Sequence, residues 1–213
     1  MSTELRWVEG PWNGKLAIAA RPRGGDWLED EIEAWRRQGV TAVVSLLTPE
    51  EERELDLIEE PAQAQSHGLG FLSLPVPDRE VPASESEVTA MLARLHEILA
   101  SGRSAVIHCR QGIGRAGLLA SCMLVFEGYA PLEAIQAVSQ ARGVEIPETP
   151  DQRKWVLNYR VSTVQPRCVQ TALATENPLS RSWKTYIFSS TRNCGAPKAK
   201  SPGVPILNAC GGS

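Results

Sequence analysis

Two rhythms of apolar positions alternate along the chain. Lys15–Ala20 and Thr41–Leu47 are short apolar runs bounded by Gly, Pro and charged residues, the pattern of buried strands. Between them, Trp27–Gln38 carries Leu28, Ile32 and Trp35 at helical spacing, on one face. Thr48-Pro49-Glu50-Glu51 then opens a second helix, with Thr48 as cap, Pro49 in the first turn and Glu51 reaching back to close a capping box. The acidic run Glu50, Glu51, Glu52 and Glu54 reads as a solvated face complementing the positive end of the helix dipole.

A third strand, Gly70–Leu74, runs into Pro75-Val76-Pro77-Asp78, whose prolines end the ladder and stiffen a loop presenting Asp78. Ser84-x-x-Glu87 reads as a further capping box. It leads a helix in which Val88, Met91, Leu92, Leu95, Ile98 and Leu99 keep the 3.6-residue period. Ala105-Val106-Ile107 is a compact strand, followed by the glycine-bearing stretch His108–Gly117 and a helix that stops at Gly128. Pro131–Arg142 and Thr149–Tyr159 complete the helices. Strands alternating with helices predict an α/β fold, a mainly parallel central sheet flanked by helices on both faces. Beyond Val161 the periodicity fails and Ser, Thr, Asn, Pro and Gly dominate. The expectation is one folded domain over 1–160 and a disordered or weakly ordered tail over 161–213.

Composition narrows the function classes. At 42% hydrophobic and 22% charged residues, the 213-residue chain is of ordinary globular make-up, which excludes collagen-like, coiled-coil and wholly disordered readings. The body up to Arg160 holds 16 basic and 24 acidic residues, so it is acidic, and a nucleic-acid partner is not expected. No apolar run has the length of a membrane span, and the start MSTELRWVEG lacks the pattern of a secretory leader. Five cysteines without paired metal-ligand spacing fit a reducing cytoplasm. Cys122, inside an apolar helical stretch, reads as core.

The chemistry lies in His108-Cys109-Arg110-Gln111-Gly112-Ile113-Gly114-Arg115, which joins the end of a strand to the start of a helix. A loop there turns backbone N–H groups inward, and the helix adds its N-terminal positive charge, so an anion is favoured at the centre. Gly112 and Gly114 allow the curvature. The same field favours thiolate over thiol at Cys109 and makes it a nucleophile. Arg115 brings a planar fork that grips two phosphate oxygens and holds the extra charge of a transition state.

These residues resemble the C-x5-R signature of the cysteine-dependent protein tyrosine phosphatase superfamily. Asp78, in Pro-Val-Pro-Asp-Arg, is similar to the general-acid loop of its dual-specificity branch. Val43-Val44-Ser45-Leu46-Leu47-Thr48 and its acidic helix look like kinase-associated phosphatases and their bacterial relatives. The resemblance covers residues 10–160 and implies a protein tyrosine phosphatase-like fold and a phosphoprotein substrate, phosphotyrosine first and phosphoserine or phosphothreonine second. It implies Cys109 as nucleophile, Asp78 as acid and then base, and substrate binding by Arg110, Gln111, Gly112, Ile113, Gly114 and Arg115. His108 supports the loop. Gln152, in Thr149-Pro150-Asp151-Gln152, either positions water or closes a capping box with Thr149. No metal or other cofactor is expected, because the loop and Arg115 supply the charge stabilisation. One departure stands out: the family commonly has Ser or Thr after the signature arginine, where this chain has Ala116, which puts the speed of phosphocysteine breakdown in doubt.

Three alternatives remain open at this point. The same loop serves phosphoinositide or RNA 5′-phosphatases, although lipid-phosphate members often carry loop lysines that this chain lacks. A phosphoprotein-binding module with little turnover fits Ala116. A sulfurtransferase also uses a loop cysteine, but its loop is usually shorter and has no matching upstream aspartate.

Overall fold

Residues 3–160 are described in this computed structural model. The segment 161–213, with its expected disorder, lies outside the described residues. Five strands form one sheet: β1 Arg6–Val8, β2 Lys15–Ala20, β3 Ala42–Ser45, β4 Gly70–Ser73 and β5 Ser104–Cys109. Their spatial order is β1-β2-β5-β3-β4. All neighbouring pairs are parallel except β1, which runs antiparallel to β2 at one edge. The mainly parallel sheet is therefore present, with a reversed edge strand that the sequence pattern did not reveal.

Seven helices cover it: α1 Leu28–Arg37, α2 Pro49–Glu54, α3 Glu60–Ser66, α4 Glu85–Ala100, α5 Arg115–Phe126, α6 Pro131–Arg142 and α7 Pro150–Asn158. Alternation along the strands sorts the two faces. Leu16, Ile18, Val44, Ala105, Ile107 and Cys109 turn toward one core, built with α4, α5, α6 and α7. Ala17, Ala19, Val43 and Val106 turn toward the other, built with Leu28, Ile32 and Trp35 of α1 and Ala64 of α3. Each fully buried Leu, Ile or Val contributes about 1.5–3 kcal/mol, so both faces are anchored. Helix α5 is buried along its whole length, which is why its residues show no polar stripe.

Two connections position the site. The helix expected at Thr48 forms, with Thr48 Oγ1 accepting the Glu51 N–H at 3.3 Å and Glu51 Oε2 accepting the Thr48 N–H at 3.1 Å. It ends at Glu54, and a separate helix, α3, follows. After β4, the N–H groups of Leu74 and Val76 donate to the carbonyls of Ser45 and Leu46. Pro75 and Pro77 occupy the alternate positions, so the missing N–H groups cost no bond to β3. The loop carrying Asp78 is thereby stitched to the end of β3, beside the central strand β5.

Candidate active site

Cys109 ends the central strand β5 and is nearly fully buried. The Gly112 N–H donates to its Sγ at 3.3 Å. Gly112 has φ +68°, and a Cβ there would lie 2.3 Å from the Ala19 carbonyl oxygen, so the turn closes against β2 only with glycine. At Gly114 a Cβ would meet Gln152 Oε1 at 2.9 Å, and α7 approaches the loop that closely for the same reason. Arg142 of α6 donates through Nε to the Gly112 carbonyl at 3.1 Å and through Nη2 to the Gln111 carbonyl at 3.2 Å. These two bonds tie the loop's carbonyls to α6.

Arg115 opens α5, and its guanidinium collects four partners. Nη1 donates to Glu51 Oε2 at 2.6 Å, to the Val76 carbonyl at 2.7 Å and to the Leu46 carbonyl at 3.3 Å. Nη2 donates to Glu51 Oε1 at 2.9 Å and to Asp78 Oδ1 at 2.8 Å. Burial opposes the charge on Arg115, but the Glu51 hydrogen bonds and the neighbouring charges of Cys109, Glu51 and Asp78 outweigh it and hold the group firmly protonated. Burial likewise pushes the Glu51 carboxyl up. The Arg115 bonds, the Thr48 N–H and the charges of Arg115 and Arg110 outweigh that and hold it below its ordinary value.

Glu51 is the main correction to the sequence reading. It is not part of a solvated face: its side chain is 10% exposed and forms a two-point pair with Arg115. Arg110 is tied down as well, donating to Glu54 Oε2 at 2.7 Å and standing 3.4 Å from Glu51 Oε1.

The other expected residues divide clearly. Asp78, Cys109, Arg110, Gln111, Arg115 and Gln152 border one cavity of about 120 Å³, together with Gly114. Ile113 instead packs its side chain against the core. His108 points to the opposite face, fully buried, with Nε2 3.0 Å from Glu60 Oε1 but off hydrogen-bond alignment, and its ring is tilted against Trp35. Gln152 closes the capping box with Thr149 and also donates through Nε2 to the Glu80 carbonyl at 2.9 Å, so it straps α7 to the Asp78 loop. Arg79 and Glu148 also border the cavity. Among the described residues no cluster of three or more His, Cys, Asp or Glu side chains suited to a metal ion occurs, and no helix is long and apolar enough to cross a membrane.

A family model described as "Polymorphic toxin system, DSP-PTPase phosphatase" matches residues 17–129, which contain Asp78 and the whole Cys109–Arg115 loop. The chain belongs to this phosphatase family. It is also similar to cyclin-dependent kinase inhibitor 3 of Rattus norvegicus, at 29% identity over 98 residues, 45% of this chain and 46% of that protein. The chain thus spans about half the length of the curated relatives it matches. Among solved structures, kinase associated phosphatase with its catalytic-site cysteine replaced by serine superposes with a TM-score of 0.68 at 19% identity, covering 73% of this chain and 93% of that one. Tk-PTP in its active form gives 0.59 at 25% identity, covering 72% and 92%. The fold of this DSP-PTPase member is that of the protein tyrosine phosphatase superfamily.

Glu51, Arg142, Glu148 and Glu60 are the residues at or behind the site that sequence reasoning missed. For Glu51 the Thr-x-x-Glu box was visible, but the box alone does not say where the remaining carboxylate face points.

Proposed function

We propose that the chain hydrolyses phosphate monoesters on proteins, phosphotyrosine and also phosphoserine or phosphothreonine, through a cysteinyl-phosphate intermediate. The observation that carries this is the convergence over one small cavity of Cys109 Sγ, held by the Gly112 N–H, and an Arg115 that bonds Asp78. The family match and the likeness to a phosphatase described by its catalytic-site cysteine support the same roles.

In the first step the Cys109 thiolate attacks phosphorus and the bond from phosphorus to the ester oxygen breaks. Asp78, as the acid, gives its proton to that oxygen. Arg115 and the loop amides hold the equatorial oxygens. Substrate phosphate takes over Nη2 of Arg115, which frees Asp78 to meet the leaving oxygen. In the second step water attacks phosphorus, the bond from phosphorus to sulfur breaks, and Asp78 takes the water's proton, with Gln152 beside the cavity as positioner. Ala116 supplies no hydroxyl to the departing sulfur, which slows this second step. A reducing compartment such as the cytoplasm keeps Cys109 in the nucleophilic form.

The test is phosphate release from p-nitrophenyl phosphate and from phosphopeptides in the presence of chelator, comparing wild type with Cys109→Ser and Arg115→Ala. Release that persists with chelator and is lost in both variants is the expected result. Binding of phosphopeptide by folded wild type with no release would replace the enzyme reading by a binding module.

A further inference from the structure

The cavity over Cys109, at about 120 Å³, lies well below the several hundred Å³ typical of ligand pockets, so it takes the phosphoryl end of a substrate and leaves the rest outside. Beside it runs a groove of about 610 Å³ between the loop after Asp78, the first turn of α4 and the outer face of α7. Arg79 borders both spaces, so a chain leaving the phosphate passes over Arg79 directly into the groove. Arg79 sits at φ +63°, a conformation uncommon outside glycine, which bends the loop at this junction.

The groove has its own chemistry. One wall carries Trp155 stacked on Tyr159, with centroids 5.5 Å apart and planes 12° from parallel. Around these rings stand three carboxylates, Glu80, Glu85 and Asp151, against two cations, Lys154 and, at the junction with the cavity, Arg79. Tyr159 is buried against Trp155, so Trp155 is the ring open to the groove, and the charge of Glu85 is the last of the influences, after burial, Thr89 and Cys122, on the raised Tyr159 hydroxyl. A flat aromatic face among carboxylates suits a cation with a planar, weakly hydrated head, which describes arginine better than lysine. An acidic side chain, or a headgroup bearing extra phosphates, meets three carboxylates there against the two cations Arg79 and Lys154, so the balance stays acidic. Aspartate and glutamate are thus selected against by the same residues that attract the guanidinium.

We propose that this groove receives an arginine side chain flanking the phosphorylated residue, so that the preferred substrates are phosphoproteins with basic residues next to the phosphosite. This deepens the phosphatase reading and rests on it. The groove then fixes where along a protein the catalytic loop engages, while the small cavity recognises phosphate alone.

The test uses full-length Cys109→Ser protein and three phosphopeptides that differ only in carrying Arg, Ala or Glu at the two positions on each side of the phosphoresidue. Affinity is measured by fluorescence anisotropy. The Arg peptide is expected to bind about fivefold to thirtyfold more tightly than the Ala peptide, and the Glu peptide more weakly than either. Adding Trp155→Ala, or separately Glu85→Gln, should shrink the Arg preference. The Glu85 change is at an exposed site and keeps the fold if the Trp155 change, made against the core, does not. Equal affinities for all three peptides, tighter binding of the Glu peptide, or an Arg preference untouched by Glu85→Gln overturns the proposal. Hydrolysis of p-nitrophenyl phosphate by wild type reports on the phosphatase reading separately, since it places nothing in the groove.

Discussion

The start of α2 and the proline-bearing loop after β4 each deliver a carboxylate to the same guanidinium, in opposite surroundings. Glu51 is 10% exposed, grips Arg115 with both oxygens, and is itself fixed by the capping box with Thr48. Asp78 is 54% exposed and offers Arg115 one oxygen from a loop. A buried two-point pair is costly to break and has nowhere else to go. An exposed one-point pair gains little and exchanges readily with water or an anion. Under the proposed mechanism the difference gives the two carboxylates different work, Glu51 holding Arg115 in place and Asp78 leaving it for the reacting oxygen.

Asp78→Asn gives the largest expected effect. It keeps the shape but removes the transferable proton, so kcat should fall by about 10²–10⁴. The fall should be greatest for alkyl phosphates, whose leaving oxygen needs protonation most, and least for p-nitrophenyl phosphate. Denaturant stability should change by less than about 1 kcal/mol. A loss of stability larger than the loss of activity would erase the distinction between the two carboxylates.

Glu51→Ala should reverse that balance. It leaves a buried guanidinium without its main partner, and stability in urea should drop by about 3 kcal/mol or more. Activity falls too, because Arg115 loses the anchor that aims it at the cavity. Steady-state kinetics of the folded fraction should show KM rising, since phosphate binding suffers first, whereas Asp78→Asn acts on kcat.

How far the sequence carried this picture depends on how local each signal is. The loop His108–Arg115 was legible because its strand, glycines and helix are contiguous, and α6 and α7 were legible because Pro131 and the Thr149-Pro150 cap mark their starts locally. Edge strand β1 has three residues, too few to show alternation. Helix α3 buries only Glu60 and Ala64, so it displays no apolar stripe. Glu51 was hidden for a deeper reason. An acidic first turn has the same pattern whether its side chains face water or an arginine 64 positions away, and that arginine is brought there by the pairing of β3 with β5. Arg142 is hidden likewise, since its bonds to the loop span 30 and 31 positions.

A pH titration sharpens the contrast at smaller scale. The Glu51 carboxyl is held below its ordinary value of 4.5 in the folded state. A depressed carboxyl contributes stability that is fully present above the unfolded value and is lost as pH falls through the folded one. The stability advantage of wild type over Glu51→Gln should therefore be constant above about pH 5 and shrink progressively below pH 4.5. Urea melts of both proteins across this range measure it. A gap that does not narrow in acid would mean that the pair draws its strength from shape and not from charge.

The smallest effect is expected one helical turn further along α2. Glu54 also reaches the loop, accepting from Arg110 Nη2 at 2.7 Å, but the two side chains are 64% and 34% exposed. Sharing a helix with Glu51 does not make it equivalent, because water competes for both charges and salt screens them. Glu54→Ala should cost less than about 1 kcal/mol and lose even that at high salt, whereas the Glu51 effect survives salt because its charges are out of reach of solvent ions. Running both variants in urea at low and high salt separates distance along the chain from depth in the protein. If Glu54→Ala proved as costly and as salt-resistant as Glu51→Ala, depth would not be what distinguishes the carboxylates around this loop, and the assignment of Glu51 as anchor would have to rest on its second oxygen alone.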